Sequence, residues 1–96
     1  MTFAFHPDAE REFDEAVAYY ENCQPGLGME FAAEVYAAIR RILRYPQAWA
    51  TLSPGTRRCL TNRFPYGVVY EVKADTIRVV AIAHLHRRPG FWRERL

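Results

Sequence analysis

The feature that most constrains this chain is a change of hydrophobic period partway along it. Between Pro7 and Pro46 apolar residues return at helical spacing, and from Arg57 onward they return at every second position. The first spacing lines one face of a helix and the second one face of a strand. Helices therefore precede strands, apart from Thr2–Phe5, which is short, apolar and reads as an opening strand.

In the helical part, His6-Pro7-Asp8 marks a start. A proline is accommodated in a first turn because its missing N–H has no partner there, and Asp8, Glu10 and Glu12 suit the positive end of the helix dipole. Ala9, Phe13, Ala16, Val17 and Tyr20 form a stripe that Pro25-Gly26 ends. Phe31, Val35, Ala38, Ile39 and Ile42 form the stripe of a second helix, with Arg40, Arg41 and Arg44 near its negative end and Pro46 as its stop. The short connection makes the two an antiparallel hairpin. Gln47–Thr56 has no period and reads as a surface loop, with Trp49 as its anchor to the hairpin.

In the strand part, Arg57-Cys59-Thr61-Arg63 and Arg58-Leu60-Asn62-Phe64 alternate as two faces of one strand, and Pro65-Tyr66 turns the chain. Val68, Tyr70 and Val72 share a face of the next strand, opposite Glu71 and Lys73. Tyr66 and Tyr70 are expected against the helices. Ala74-Asp75 is a tight hairpin connection into a third strand, Thr76–His86. Its stretch Val79–Ala83 is apolar without alternation, as expected of a strand covered on both faces. Pro89-Gly90 ends it and leaves Phe91–Leu96 as a tail. The order β-α-α-β-β-β gives one α+β domain over residues 1–96, a helical hairpin packed on one face of a mainly antiparallel sheet.

The net charge of +2 hides an asymmetry: residues 1–56 carry four arginines against eight acids, and residues 57–96 carry nine basic residues against three acids. A basic segment of that kind either favours an acidic partner, nucleic acid or an Asp/Glu-rich protein surface, or forms a solvated face. Cys23 and Cys59 have neither metal-ligand spacing nor a disulfide framework, and read as reduced thiols. The three histidines make no metal site, and no glycine loop cradles a phosphate, so no cofactor is expected. With no basic-then-apolar leader and no apolar run of about eighteen residues, the expected location is the cytoplasm, without a membrane partner.

Several short stretches together resemble the RelE/ParE toxin superfamily of bacterial type II toxin–antitoxin systems. They are His6-Pro7-Asp8-Ala9 at the first helix, Arg57-Arg58, Arg63-Phe64-Pro65-Tyr66 followed by Val68-Val69-Tyr70-Glu71-Val72, and the closing Ala83-His84-Leu85-His86-Arg87-Arg88-Pro89-Gly90-Phe91-Trp92. The resemblance covers nearly the whole chain. It implies a small growth-inhibiting toxin, relevant to plasmid stabilization, held inactive by a cognate antitoxin that folds on binding. Operator DNA is then contacted only through the antitoxin. One branch of the superfamily cleaves mRNA on the ribosome; the ParE-like branch inhibits DNA gyrase.

A metal-independent ribonuclease needs a base, an acid and a cation on the phosphate. His84 and His86, two apart on the expected strand, can supply the first two, with Arg87 or Arg63 on the phosphate. Alternatively His84, after a wholly apolar stretch, hydrogen-bonds a strand-edge group while His86 and Arg87 are solvated. Against the mRNA-cleaving branch, Arg87 matches that branch's arginine at the end of the last strand. Its middle-strand arginine falls on Gly67, its basic residues on the first meander strand fall on Thr61 and Asn62, and its C-terminal tyrosine is replaced by Phe91 and Trp92. The resemblance is therefore nearer the ParE-like branch, which inhibits by binding and not as an enzyme. Arg57, Arg58, Arg88, Phe91, Trp92 and Arg93, with Arg95 beside them, then read as a contact surface for target or antitoxin, rich in the residue types of binding hot spots. Trp92 has a second reading, folded back over the end of the sheet. The expected role is thus a toxin that binds gyrase, with an mRNA endonuclease second and a non-toxic antitoxin partner in operon autoregulation third.

Overall fold

A computed structural model describes residues 1–96. Its elements are β1 (Thr2–Phe5), α1 (Pro7–Cys23), α2 (Leu27–Arg44), β2 (Ala50–Ser53), β3 (Thr56–Leu60), β4 (Tyr66–Lys73) and β5 (Thr76–His84), followed by a 3-10 turn at Arg93–Arg95. The sheet order is β1-β5-β4-β3-β2, with β1 parallel to β5 and the other pairs antiparallel. The expected α+β order holds, with one strand added. β2 lies inside the segment read as a loop, where Ala50, Thr51 and Ser53 pair with β3 across the Pro54-Gly55 turn. Gly55 takes a positive φ of 79° there, which a residue with a side chain rarely adopts.

The helical hairpin is held by its own ends. His6 caps α1, its Nδ1 accepting the Asp8 N–H at 3.0 Å. At the other end of α1, the Glu21 carboxylate accepts the N–H groups of Gly26 and Gly28, capping α2 from outside it. A Cβ at Gly28 would sit 2.6 Å from the Val17 carbonyl oxygen, so only glycine lets the helices approach this closely. Phe31, Val35, Ala38, Ile39 and Ile42 of α2 then meet Cys59, Val68, Tyr70, Ile77, Val79 and Ile82 in the larger core. The Tyr70 hydroxyl donates to the Pro46 carbonyl at 2.6 Å, and Trp49 Nε1 donates to the Arg41 carbonyl at 3.4 Å, fixing the chain between α2 and β2.

The unbroken apolar run of β5 has a specific cause. Val69 pairs with Ala81 and Tyr70 with Val79, so Val80 is an extra residue in β5, a bulge. The bulge turns both Val80 and Ala81 to the face away from the helices, while Val79 and Ile82 on either side stay in the helix-covered core. The second face is closed by the tail: Trp92, 5% exposed, packs with Val69, Val80, Ala81 and Ala83, and Phe91 lies against them. Burying a tryptophan on a sheet of this size removes a large apolar area from water.

β1 ends at Phe5, opposite Val79, and past that point side chains meet the backbone of β5. Arg95 donates to the Val80 carbonyl at 3.0 Å, and the Ile82 N–H donates to Glu12 at 3.1 Å. Arg95 and Glu12 also bond each other through two nitrogens, at 2.9 and 2.8 Å, and each is about nine-tenths buried (11% and 10% exposed). Arg78 donates to the Arg95 carbonyl at 2.8 Å, holding the tail from the other side. Arg95 is thus a structural residue and not part of an exposed contact surface. Glu12→Ala leaves the buried Arg95 charge with only the half-exposed Asp8 carboxylate, at 3.6 Å, and is expected to lower the unfolding free energy by about 3 kcal/mol in urea titrations, the lower end for a broken buried pair. A loss below about 1 kcal/mol would show that water screens the pair as it does a surface one.

Candidate functional site

β5 ends at His84, so His86 stands in the turn that follows and not on the strand. The two imidazoles still meet: the turn brings the His86 N–H to His84 Nδ1 at 3.1 Å, and the rings lie 5.1 Å apart, edge to face. The other side of His84 rests against Tyr66, at 5.2 Å between rings. Tyr66 in turn packs on Phe31 and Tyr20 of the hairpin. With Nδ1 taken as an acceptor, Nε2 is the nitrogen of His84 free to exchange a proton with a ligand. Burial and the neighbouring Tyr19 raise the Tyr66 phenol above its usual value against an opposing pull from Arg87, so it stays protonated at neutral pH.

Arg87 lies with its guanidinium 3.9 Å from the centre of the Phe91 ring and 3.8 Å from Glu12. The cation–π contact fixes its direction although half of its side chain is exposed. His84 and Arg87 stand on a ridge between two hollows. One, of about 300 Å³, is bounded by Glu12, Glu15, Tyr19 and Tyr66. The other, of about 160 Å³, lies on the tail side of the sheet, walled by Arg58, Arg88, Phe91 and Arg93 over a floor that includes Val69 and Trp92. The first has two carboxylates in its wall; the second has none.

Of the nuclease set, His84, His86 and Arg87 come together and Arg63 does not. β3 ends at Leu60, short of the expected Phe64, because the Thr61 hydroxyl donates to the Phe64 and Tyr66 carbonyls and turns the chain. Arg63 is carried toward α2, where Nε donates to Glu34 at 2.7 Å, Nη2 to Glu30 at 2.9 Å and its own N–H to Glu34 at 2.9 Å. It lines neither hollow.

Of the contact set, Arg58, Arg88, Phe91 and Arg93 gather on the tail side. Trp92 forms the floor there and is buried, which removes it from the exposed surface. Arg57 faces the other way, beside Tyr70, because neighbouring residues of a strand point to opposite faces. Its guanidinium donates to the Trp49 carbonyl at 2.8 Å and to Gln47 at 3.1 Å, which ties it to the approach to β2 and away from the site. Arg58 lies flat across β4: a Cβ on Gly67 would fall 2.7 Å from its Cδ. The missing side chain at Gly67 is therefore the bed for an arginine from the neighbouring strand. Glu12 was not among the sequence candidates; its only signal was an acid on an amphipathic helix, which carries no information about its partner.

Burial would raise the Glu34 carboxyl, yet the backbone and side chain of Arg63 and the Asn62 N–H hold it below its ordinary value. A carboxyl lowered in the folded state stabilises above its unfolded pKa, and that contribution is lost as pH falls through the folded value. Arg63→Ala should accordingly lower the thermal midpoint at neutral pH, and its difference from the parent should narrow on acidification through the carboxylate range. An undiminished difference at low pH would separate Arg63 from the Glu34 titration.

A family profile described as "ParE toxin of type II toxin-antitoxin system, parDE" matches residues 3–89. A search of curated proteins finds no significant match. Among solved structures, a chain described as "Chromosomal ParDE TA system from P. aeruginosa" superposes with a TM-score of 0.76, covering 88% of this chain and 95% of that one. At 17% identity that likeness speaks for the fold alone. The profile spans β1 through the turn after β5, the same elements that carry the hairpin, the sheet and the ridge of His84 and Arg87. By that match, the chain belongs to the ParE toxin family of type II toxin–antitoxin systems.

Proposed function

We propose that this chain is a growth inhibitor that acts by binding its target, with DNA gyrase as that target, and that a cognate antitoxin neutralises it. The observation that carries the proposal is how the basic residues are distributed. The second arginine of the nuclease set is engaged by Glu30 and Glu34, while Arg58, Arg88 and Arg93 gather with Phe91 at one exposed hollow. Arginine beside an aromatic ring is the composition of a binding hot spot, not of a proton-transfer site. The cytoplasm, where gyrase and antitoxin are found, is the matching location; no helix is long and apolar enough to cross a membrane.

Ribosome-dependent mRNA cleavage is the second reading, favoured by the free Nε2 of His84 beside Arg87. Of the cations the resemblance assigns to it, the one at position 67 is replaced by a glycine and Arg63 is turned to Glu30 and Glu34, so only Arg87 of that set stands beside His84. The two mechanisms separate in a pair of assays on the purified chain. Supercoiling by gyrase is expected to be inhibited, His84→Ala to inhibit as well as the parent, and Arg88→Glu with Arg93→Glu to weaken inhibition at least tenfold, about 1.4 kcal/mol. Ribosome-dependent cleavage that disappears with His84→Ala or Arg87→Ala would replace this mechanism by the nuclease one. Expression alone should arrest growth, and co-expression of the neighbouring gene should relieve it; a chain confined to antitoxin pairing in operon autoregulation would do neither.

A further inference from the structure

The hollow on the tail side has an unusual charge balance. Arg58, Arg87, Arg88 and Arg93 line it together with His84, and no acidic residue does. Of these only Arg87 has a carboxylate within 4.0 Å, Glu12 at 3.8 Å and itself held by Arg95. Arg58 Nε is buried and donates to no protein group. A buried guanidinium N–H without an acceptor is costly, and most such groups in folded proteins are paired.

Two glycines seat these arginines. Gly67 lets the stem of Arg58 lie on β4, and Gly90, at a φ of 79°, lets the guanidinium of Arg93 lie where a Cβ would come within 2.9 Å of it. The arginines are therefore fitted into the wall by the backbone beneath them and do not merely project from the surface. Planar forks converging on a small recess match the oxygens of a phosphate, which takes paired N–H donors from more than one guanidinium.

We propose that this hollow is a phosphate site that takes the sugar-phosphate backbone of a nucleic-acid strand. Its volume of about 160 Å³ admits a phosphate with its sugar but no base pair. The two partly exposed rings in the wall are both engaged: Phe91 has Arg87 over its face at 3.9 Å, and His84 stands between Tyr66 and His86 at 5.2 and 5.1 Å, which leaves no free platform for a base. The site thus holds backbone and reads no sequence. A flexible single strand can turn a phosphate together with its sugar into the recess, whereas a duplex offers its outer phosphate oxygens with the sugars held against the paired bases. The hollow is the surface proposed above to meet the target, but binding of a strand is measured without gyrase, so either reading can fail without the other; operator recognition by the antitoxin is a separate matter.

Fluorescence anisotropy of a short labelled single-stranded DNA, with the full chain titrated at several salt concentrations, tests it. Saturable binding is expected, alike for unrelated sequences, with log affinity falling linearly in log salt. Arg58→Gln should weaken binding about tenfold and reduce the salt slope by about 0.7, the loss of one phosphate contact on a single strand. Gly67→Ala leaves the charge unchanged but displaces Arg58, and should weaken binding similarly. Arg44→Gln, on α2 away from the hollow, should change it far less. Circular dichroism confirms that each variant is folded. Absence of binding, equal losses for Arg44→Gln and Arg58→Gln, or full binding by a folded Gly67→Ala would each overturn the proposal. So would preference for a Glu-rich peptide over the strand with the same dependence on Arg58, which would make the hollow a carboxylate site.

Discussion

The Glu12–Arg95 pair at the open flank of β5 is the contact on which the two halves of this molecule depend. β1 stops opposite Val79, and the next backbone groups of β5 are bonded by side chains from α1 and from the tail. One carboxylate and one guanidinium thus join residues 12, 80–82 and 95. A buried ion pair is weak grounds for net stability, because desolvation offsets much of its attraction. Its geometry matters more. An isolated hydrophobic contact would let the tail slide along the sheet, while a two-nitrogen bond to one carboxylate allows a single placement. That placement sets Trp92 over Val80 and Ala81, and with it the floor of the tail-side hollow.

The bulge decides which residues of β5 serve which of the two cores. A regular strand would send alternate residues to each face, and a run of five apolar residues would be divided without any step in register. The extra residue at Val80 changes the parity, so that Ile82 and His84 return to the helix side while Ala83 stays on the tail side. The histidine consequently ends against Tyr66 at the ridge, and the chain leaves the sheet there to bring Arg87, Arg88 and Arg93 back along the tail side. The site's position is a consequence of strand parity before it is one of any particular side chain.

Much of the fold was legible because it is written in periods. The α1 and α2 stripes, the faces of β4 and the doubly covered β5 all follow from which residues repeat at which spacing. β2 was not legible: four residues at a sheet edge are too few to show a period, and Pro54-Gly55 reads equally well as loop or hairpin turn. The site was legible as a region and not as a set of roles. Alternation already put Arg57 and Arg58 on opposite faces but did not say which face holds the site, and Arg63 meets carboxylates 29 and 33 residues away on α2. Trp92 carried two readings, and only the depth of the groove it fills decides between them. Partners distant in the chain leave no local trace, which is also why Glu12 went unnoticed.

Gly67 shows how an argument by position can mislead about charge. Read along the chain, a glycine where relatives of the nuclease branch carry an arginine is a cation lost. In the folded sheet the same vacancy is filled from β3, because Arg58 lies in the next strand on the same face and needs a bare backbone to lie across. Charge on a sheet belongs to the face, and any strand can supply it to a given point. The substitution therefore removes the arginine from the strand while keeping an arginine stem over it, in the wall of the tail-side hollow that His84 and Arg87 also line.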